Sequence, residues 1–541
     1  MRLLFRVAAV PSAAPPSAAG DAPHPSTFAP ATFGLLLILC LFGAVIGMQV
    51  IVQLGITPNT SIIGAVVAML AARLPVAVFA RYRSIHVQNL AQSAISAATF
   101  GAANSLFLPI GVPFVMGRSD LILPMLVGAA LSMLLDAYLL YRMFGTRLFP
   151  ATGTWPPGVA AAEAIRAGDA AGKRAALFGI GILVGIAGSW LTIPMAAAGL
   201  AFIANVPALT MFGIGMLIRG YAQPVAGIDI STLYLPHGAM VGAGLVALIQ
   251  CALLIARRKT GKPGAAAVDN RRLQQALGLG GVGYFAIAAL IAAMGGLFAE
   301  LSPGMLVGFV AYAAVAALVH ELLVGISAMR AGLFPAFALA LVTLIIGILL
   351  GFPPVALALL VGFSASTGPA FADMGYDLRA GYLLRGEGTN PALELAGRRQ
   401  QLYAAMLGFL IAIPTVYVAH SGYFAQNMVP PVDRVYVATI DAGASADVAR
   451  ALLLWAIPGA VLQFLGGAER QLGILFATGL LIPNPIAGWA VLVSLAIRII
   501  ARRWKGEAAR GPMEVLAAGF IGGDALFRFS EAVINTSPKG S

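Results

Sequence analysis

WPPGVAAAEAIRAGD, residues 155–169, sets a Trp-Pro-Pro-Gly turn ahead of an Ala-rich segment with one carboxylate, Glu163, and it stands among long apolar runs. Backbone broken by proline at membrane depth is tolerated only where protein or a water-filled cavity satisfies the freed polar groups. The stretch therefore reads as a cavity lining shaped by Pro156, Pro157 and Gly158, with Asp169 and Arg166 at its aqueous rim. A solvated cytoplasmic loop is the alternative, since Lys173 and Arg174 follow directly.

The apolar runs belong to a chain of 541 residues that is 60% hydrophobic and only 10% charged, with a mean hydropathy of +0.91. Soluble domains carry roughly 25% charged residues, so this is a polytopic, all-α integral membrane protein whose surroundings are the lipid bilayer. The net charge of +12 does not point to nucleic acid, because the Lys and Arg residues sit mostly in short loops between apolar runs, as retention on the cytoplasmic side produces. Cys40 and Cys251 lie inside apolar runs with no partner at metal-ligand spacing and read as small core residues. Residues 1–27, rich in Ala, Pro and Ser, read as a disordered tail. The start MRLLFRVAAV resembles a signal peptide, but Arg6 interrupts it and a long apolar run follows at Ala31.

Spans at Ala31 to Val52, Ser61 to Ala80, Gln88 to Leu108 and Leu121 to Phe144 come first, each long enough for ~30 Å of hydrocarbon. Arg2 and Arg6 precede the first, Arg81 and Arg83 follow the second, and Arg142, Arg147, Lys173 and Arg174 follow the fourth. These ends belong inside, with the amino terminus cytoplasmic and the chain in the inner (cytoplasmic) membrane. Runs at Ala175 to Trp190, Ile193 to Val206, Leu209 to Ile218 and Leu233 to Ile255 return to a basic linker. The plan then repeats. Spans near Gly281 to Phe298, Met305 to Ile326, Phe334 to Leu350 and Val355 to Ala370 lead to a polar segment, FADMGYDLRAGYLLRGEG. Leu402 to Ala419, an outer loop to about Asp447, Leu452 to Leu465, Leu472 to Leu481 and Ile486 to Ile500 follow. A last run, Val515 to Phe529, is a further span or a re-entrant segment. The total is about sixteen crossings, several short and broken by proline.

GIGMLIR and LPHGAMVGAGLVALIQCALLIARRK find a counterpart in ILFATGLLIPNPIAGWAVLVSLAIRIIARRWK. The chain thus divides into a tail at 1–27, a first transmembrane repeat at 28–256, a cytoplasmic linker at 257–276, a second repeat at 277–535 and a tail at 536–541. Matched interruptions in repeats point to a transporter's binding site. One interruption offers Glu163; the other offers Asp373, Asp377 and Arg379, with Tyr376 and Gly381 shaping the same cavity. Glu163 reads as the partner of a proton or a substrate amine, opposed by Asp377 and Arg379. A solvated loop is again the alternative for the second interruption.

His320 and Glu321, adjacent in an otherwise apolar run, pair an imidazole with a carboxylate and suit a proton relay, although neighbours on a helix point to different faces. Asp136, His237, Asp524 and Glu531 are further ionisable groups in or near apolar runs, either functional or satisfied structural polars. HELLVG lacks a second histidine, and GLGGVG at Gly278 to Gly283 opens an apolar helix rather than following a strand, so neither a zinc site nor a dinucleotide site is read. No ATP-binding loop, serine nucleophile elbow or Cys/His cluster occurs, and no cofactor or metal is expected.

With these motifs in view, the chain resembles the oligopeptide transporter family, which includes the yellow-stripe-like metal-chelate transporters, in its prokaryotic-type form. WPPGVAAAEAIRAGD is similar to the family's proline-glycine stretch, and YDLRAGYLLRG followed by Arg398, Arg399, Gln400 and Gln401 is similar to a second motif. GIGMLI and GFIGGDALFRF match further stretches. The resemblance implies secondary active uptake, usually proton-coupled, of small oligopeptides or peptide-like metal chelates; the missing catalytic constellation argues against an enzyme, and the oligomeric state, a homo-oligomer among the options, is left open by the sequence. Pro157, Val159, Arg379 and Ala380 depart from the family's residues at their positions. A facilitative carrier or channel for another small polar solute is the competing reading.

Overall fold

A computed structural model describes residues 24–54, 82–169, 173–256, 265–332, 336–443 and 446–536. Among the described residues the regular structure is helical, apart from one isolated bridge between Phe144 and Phe149. The first half contains α1 (Pro30–Leu54), α2 (Ile85–Phe100) continuing through a π-helical segment (Gly101–Phe107) into α3 (Leu108–Val115), and α4 (Ile122–Met143). After these come α5 (Pro156–Asp169), α6 (Lys173–Trp190), α7 (Met195–Ile203), α8 (Val206–Ala226) and α9 (Leu235–Ala256). The second half runs through α10 (Ala265–Met294), α11 (Pro303–Ala331), α12 (Ala336–Leu349), α13 (Pro354–Ser366), α14 (Pro369–Leu384) and α15 (Pro391–Ala425). It closes with α16 (Pro431–Ala442), α17 (Ala446–Arg470), α18 (Leu472–Leu481), α19 (Pro485–Lys505) and α20 (Arg510–Thr536).

Proline and glycine place these boundaries. Pro156, Pro303, Pro354, Pro369, Pro391, Pro431 and Pro485 each begin a helix, where the missing N–H is no loss and φ is already set. Ser302, Asn205, Asn390 and Asn484 accept a backbone N–H from the first turn of their helices. Gly227 and Gly332 end α8 and α11 in the left-handed region, at φ of 68° and 76°.

Ten helices among the described residues are long and apolar enough to cross a membrane, joined by shorter apolar helices such as Leu472–Leu481. The run read at Ser61 to Ala80 lies outside the described residues. The nine residues of α7 rise only about 14 Å, so the run at Ile193 to Val206 cannot cross by itself. Burial separates an inner set from an outer one. The apolar window within Ile85–Val115 is wholly buried and that within Pro354–Leu384 is 94% buried, against 28% for Lys173–Trp190 and 22% for Arg450–Gly467. The broken segments α2-π-α3 and α13-α14 are thus the centre of the bundle, where other helices and not lipid meet their polar groups.

One alternative falls away and three expectations change. The segment FADMGYDLRAGYLLRGEG is no solvated loop: α14 takes up most of it, and nearly every residue of α14 is buried. The outer loop contains α16. The first helix of the second half begins at Ala265, inside the stretch read as linker. The end of the tail is docked, since the Thr27 N–H donates to Gln400 Oε1 and its hydroxyl to the Gln400 carbonyl, each at 2.8 Å.

The two halves interleave. Helix α9 packs on α17, α6 on α20, α8 on α18 and α19, α1 and α2 on α15, and α4 on α10 and α14. Lipid tails are as apolar as leucine, so such contacts depend on close approach of small residues. Gly181 and Gly185 of α6 face Gly519 and Gly523 of α20: a Cβ added at Gly181 would stand 3.0 Å from the Gly519 Cα, and one at Gly185 equally close to the Gly523 Cα. The stretches paired by sequence also touch one another, because a Cβ at Gly215 would lie 3.0 Å from the Gly479 Cα and the reverse holds too. A Gly523→Val variant should therefore part α6 from α20 and lose about 1–3 kcal/mol of stability, the usual cost of overpacking. Thermal denaturation of purified protein in detergent checks this, and an unchanged midpoint would contradict the seam.

Candidate functional site

The amide and hydroxyl residues of α2, Asn89, Gln92, Ser93 and Ser96, recur at helical spacing and form one stripe. All are buried, together with Gln88 and Thr99. Opposite them, Asp373 and Asp377 stand four residues apart on one face of α14. Ser96 Oγ donates to Asp373 Oδ1 and Gln92 Nε2 to Asp377 Oδ1, both at 2.5 Å. Asn89 Nδ2 donates to Gln92 Oε1 at 2.9 Å. Gln401 of α15 completes the layer, its Nε2 donating to the Asp377 carbonyl at 2.6 Å and to Ser93 Oγ at 3.2 Å.

Each aspartate keeps one oxygen, Oδ2, buried without a hydrogen-bond partner, and the Tyr376 hydroxyl and Gln88 Oε1 are in the same position. Buried polar groups in that state are costly. The π-helical segment follows immediately on α2, and such segments cluster at functional sites.

Both ends of α14 are fixed. At its amino end the Gly368 N–H donates to Asp136 Oδ2 of α4 at 2.6 Å, while Tyr284 of α10 donates its hydroxyl to Asp136 Oδ1 at 2.5 Å. Glu321 of α11 is the electrostatic neighbour of this pair. Neither of its oxygens completes a well-formed hydrogen bond, and the Tyr284 hydroxyl is the polar group beside them. At the carboxyl end, Arg385 bonds Glu394 at 2.8 Å and Gln401 at 2.7 Å. Glu394 also takes Arg398, which stacks on Phe144 at 4.9 Å.

The sequence candidates fall into separate groups. Asp377 lies in the α2–α14 layer, and Asp136 with Glu321 lies at the start of α14. His320 turns away from Glu321, its Nδ1 lying 3.0 Å from Ser364 Oγ and 3.2 Å from Thr367 Oγ1, so the two form no direct relay. Glu163 is buried, but Arg166 and Arg174 take its two oxygens. Neither Asp377 nor Arg379 opposes it: Arg379 donates to the Ala151 carbonyl at 2.7 Å and lies 5.6 Å from the Tyr382 ring centre. Arg166 also donates to the Leu383 carbonyl, tying α5 to α14. Asp524 accepts from Ser189 across the glycine seam of α6 and α20.

Pro156, Pro157 and Gly158 begin α5 against Gly332 and α14. Trp155 and Tyr376 meet edge to face at 6.0 Å, both fully buried. Gly381 leaves space for Gln401 and Arg385. These residues close-pack in this conformation. Two surface pockets, of about 250 Å³ beside Arg142, Arg272 and Arg398 and of about 470 Å³ beside Ser119, Tyr417 and His420, have none of the carboxylates of α14 in their walls. Among the described residues no three His, Cys, Asp or Glu side chains converge on a metal position.

The sequence reading missed the α2 stripe, Tyr284 and Gly368. The stripe was legible, since QNLAQSAIS places polar residues at intervals of three and four inside a span. Compared with known proteins, the chain matches a family model described as OPT oligopeptide transporter protein over residues 27–256 and 269–534. A comparison with curated proteins finds no match. On the geometry alone, Arg385→Met should cost about 3 kcal/mol, because it strips a buried carboxylate of a partner. Denaturation of the detergent-solubilised protein measures it, and a loss under about 1 kcal/mol, the worth of a surface pair, would show that Arg385 does not fix the end of α14.

Proposed function

The chain belongs to the OPT oligopeptide transporter family, and from that premise we propose proton-coupled import of small oligopeptides or peptide-like metal chelates across the cytoplasmic membrane, with the amino terminus inside. The observation that carries the reading is the pair Asp373 and Asp377, buried against the amide stripe of α2 with one free acceptor each. Peptides and their chelates present amines and amides. Carboxylates pair with the first, and Gln and Asn side chains with the second.

The occluded packing of the site fits a carrier that alternates access around a central position. Glu163, taken up by two arginines, serves as a tie on the cytoplasmic side. Energy for accumulation comes from the proton: one charge moved through 100 mV supplies about 2.3 kcal/mol, enough for roughly 50-fold accumulation at 1.4 kcal/mol per tenfold.

Uptake into proteoliposomes tests this, with a panel of short peptides competing against ferric and other metal chelates, with and without an imposed proton gradient. Asp377→Asn should lower accumulation of the transported compound at least tenfold. Wild-type accumulation by that variant would remove Asp377 from the site, and uptake indifferent to the gradient would leave a facilitative carrier. Glu163→Gln should slow uptake while preserving its dependence on the gradient, and loss of that dependence would restore Glu163 as the proton carrier.

A further inference from the structure

We propose that Asp136 and Glu321 form a proton-loading site, distinct from the α2–α14 layer, whose charge reaches the substrate carboxylates through the Gly368 N–H at the start of α14. The proposal rests on the transporter reading above and names where the coupling proton sits. Asp136, Glu321 and Tyr284 come from three helices and are wholly buried. Among the described residues neither carboxylate forms an ion pair. Tyr284 and Asp136 are the titratable groups that face Glu321. Other ionisable groups on the packed elements turn elsewhere: His320 to Ser364 and Thr367, Asp373 to Ser96, Arg142 to Tyr138 and Gln275, and Glu394 to its two arginines.

Two neighbouring buried carboxylates without a cation beside them hold a proton between them. The hydrogen bonds decide where it rests. Asp136 receives two donors, the Tyr284 hydroxyl and the Gly368 N–H, which favour its anion. Glu321 completes no such bond and has only the shared Tyr284 hydroxyl beside it, so the proton is assigned to Glu321 and is the one released.

Asp136 also sits at the amino end of α14, where the helix dipole favours a negative charge. When Glu321 gives its proton to water, its carboxylate repels Asp136 and competes for the single hydroxyl of Tyr284. The anchor of α14 then loosens. Gly368, at φ 97°, occupies a conformation that few other residues adopt, and it joins α13 to α14 as a pivot. Asp373 and Asp377 lie farther along the same rigid helix, so a change at its start is carried to them.

Infrared difference spectroscopy of the purified full chain, titrated between acid and alkaline buffer without substrate, reads the proton directly. The wild type should show a buried carboxylic-acid C=O band that titrates. Glu321→Gln should abolish that band, Glu321→Asp should restore it at a shifted frequency, and Tyr284→Phe should move its midpoint. Asp377→Asn should leave it in place. A band unchanged by Glu321→Gln overturns the proposal even if transport proves proton-driven. In proteoliposomes, Glu321→Gln should lose gradient-driven accumulation of the compound found by the competition panel while retaining its counterflow exchange. Wild-type accumulation that follows a sodium gradient, or no gradient, overturns the coupling reading itself and leaves the band assignment as the separate result.

Discussion

Hydrocarbon offers no water, so the polar side chains of α14 must look to other helices for their partners. That constraint explains why a helix carrying two aspartates and an arginine is also among the most enclosed. Asp136 meets its first backbone N–H, Ser96 and Gln92 meet its two aspartates, and Glu394 and Gln401 meet Arg385 at its far end. Remove those partners and α14 cannot stay at membrane depth. Most of its groups are satisfied, and a few carboxylate and hydroxyl oxygens are left over.

The enclosure depends in turn on how closely the outer helices approach. Glycine seams between α6 and α20 and between α8 and α18 bring backbones together where side chains would hold them apart. Each dispersion attraction across such a seam is small, but a long seam holds many of them. They are the chief cohesion available to helices that lipid solvates as well as their neighbours do.

Much of the architecture was legible in the sequence. The runs at Leu121 to Phe144, Ala175 to Trp190 and Leu472 to Leu481 reappear almost residue for residue as α4, α6 and α18, because an apolar run bounded by charge or proline has few other fates. The site was harder to read. Ser96 and Asp373 are 277 residues apart, and Asp136 and Gly368 are 232 apart; such pairings arise from how broken helices cross, which no local pattern encodes. Asp373 and Asp377 were visible as costly charges, but a polar stretch reads equally as a loop until its partners are known. Glu163 shows the same limit: a lone carboxylate among alanines looks unpaired until α6 brings Arg174 against it.

The interleaving of the halves limits how such a molecule can move. Swinging one half as a block against the other would tear α6 from α20, α8 from α18 and α9 from α17 together, because each of those contacts joins an early helix to a late one. The outer helices are thus woven into one frame around α13 and α14, and a block-on-block swing of the halves would break the most contacts at once. Damage is shared in the same way: a substitution that parts one such pair of helices loosens an early and a late part of the chain together.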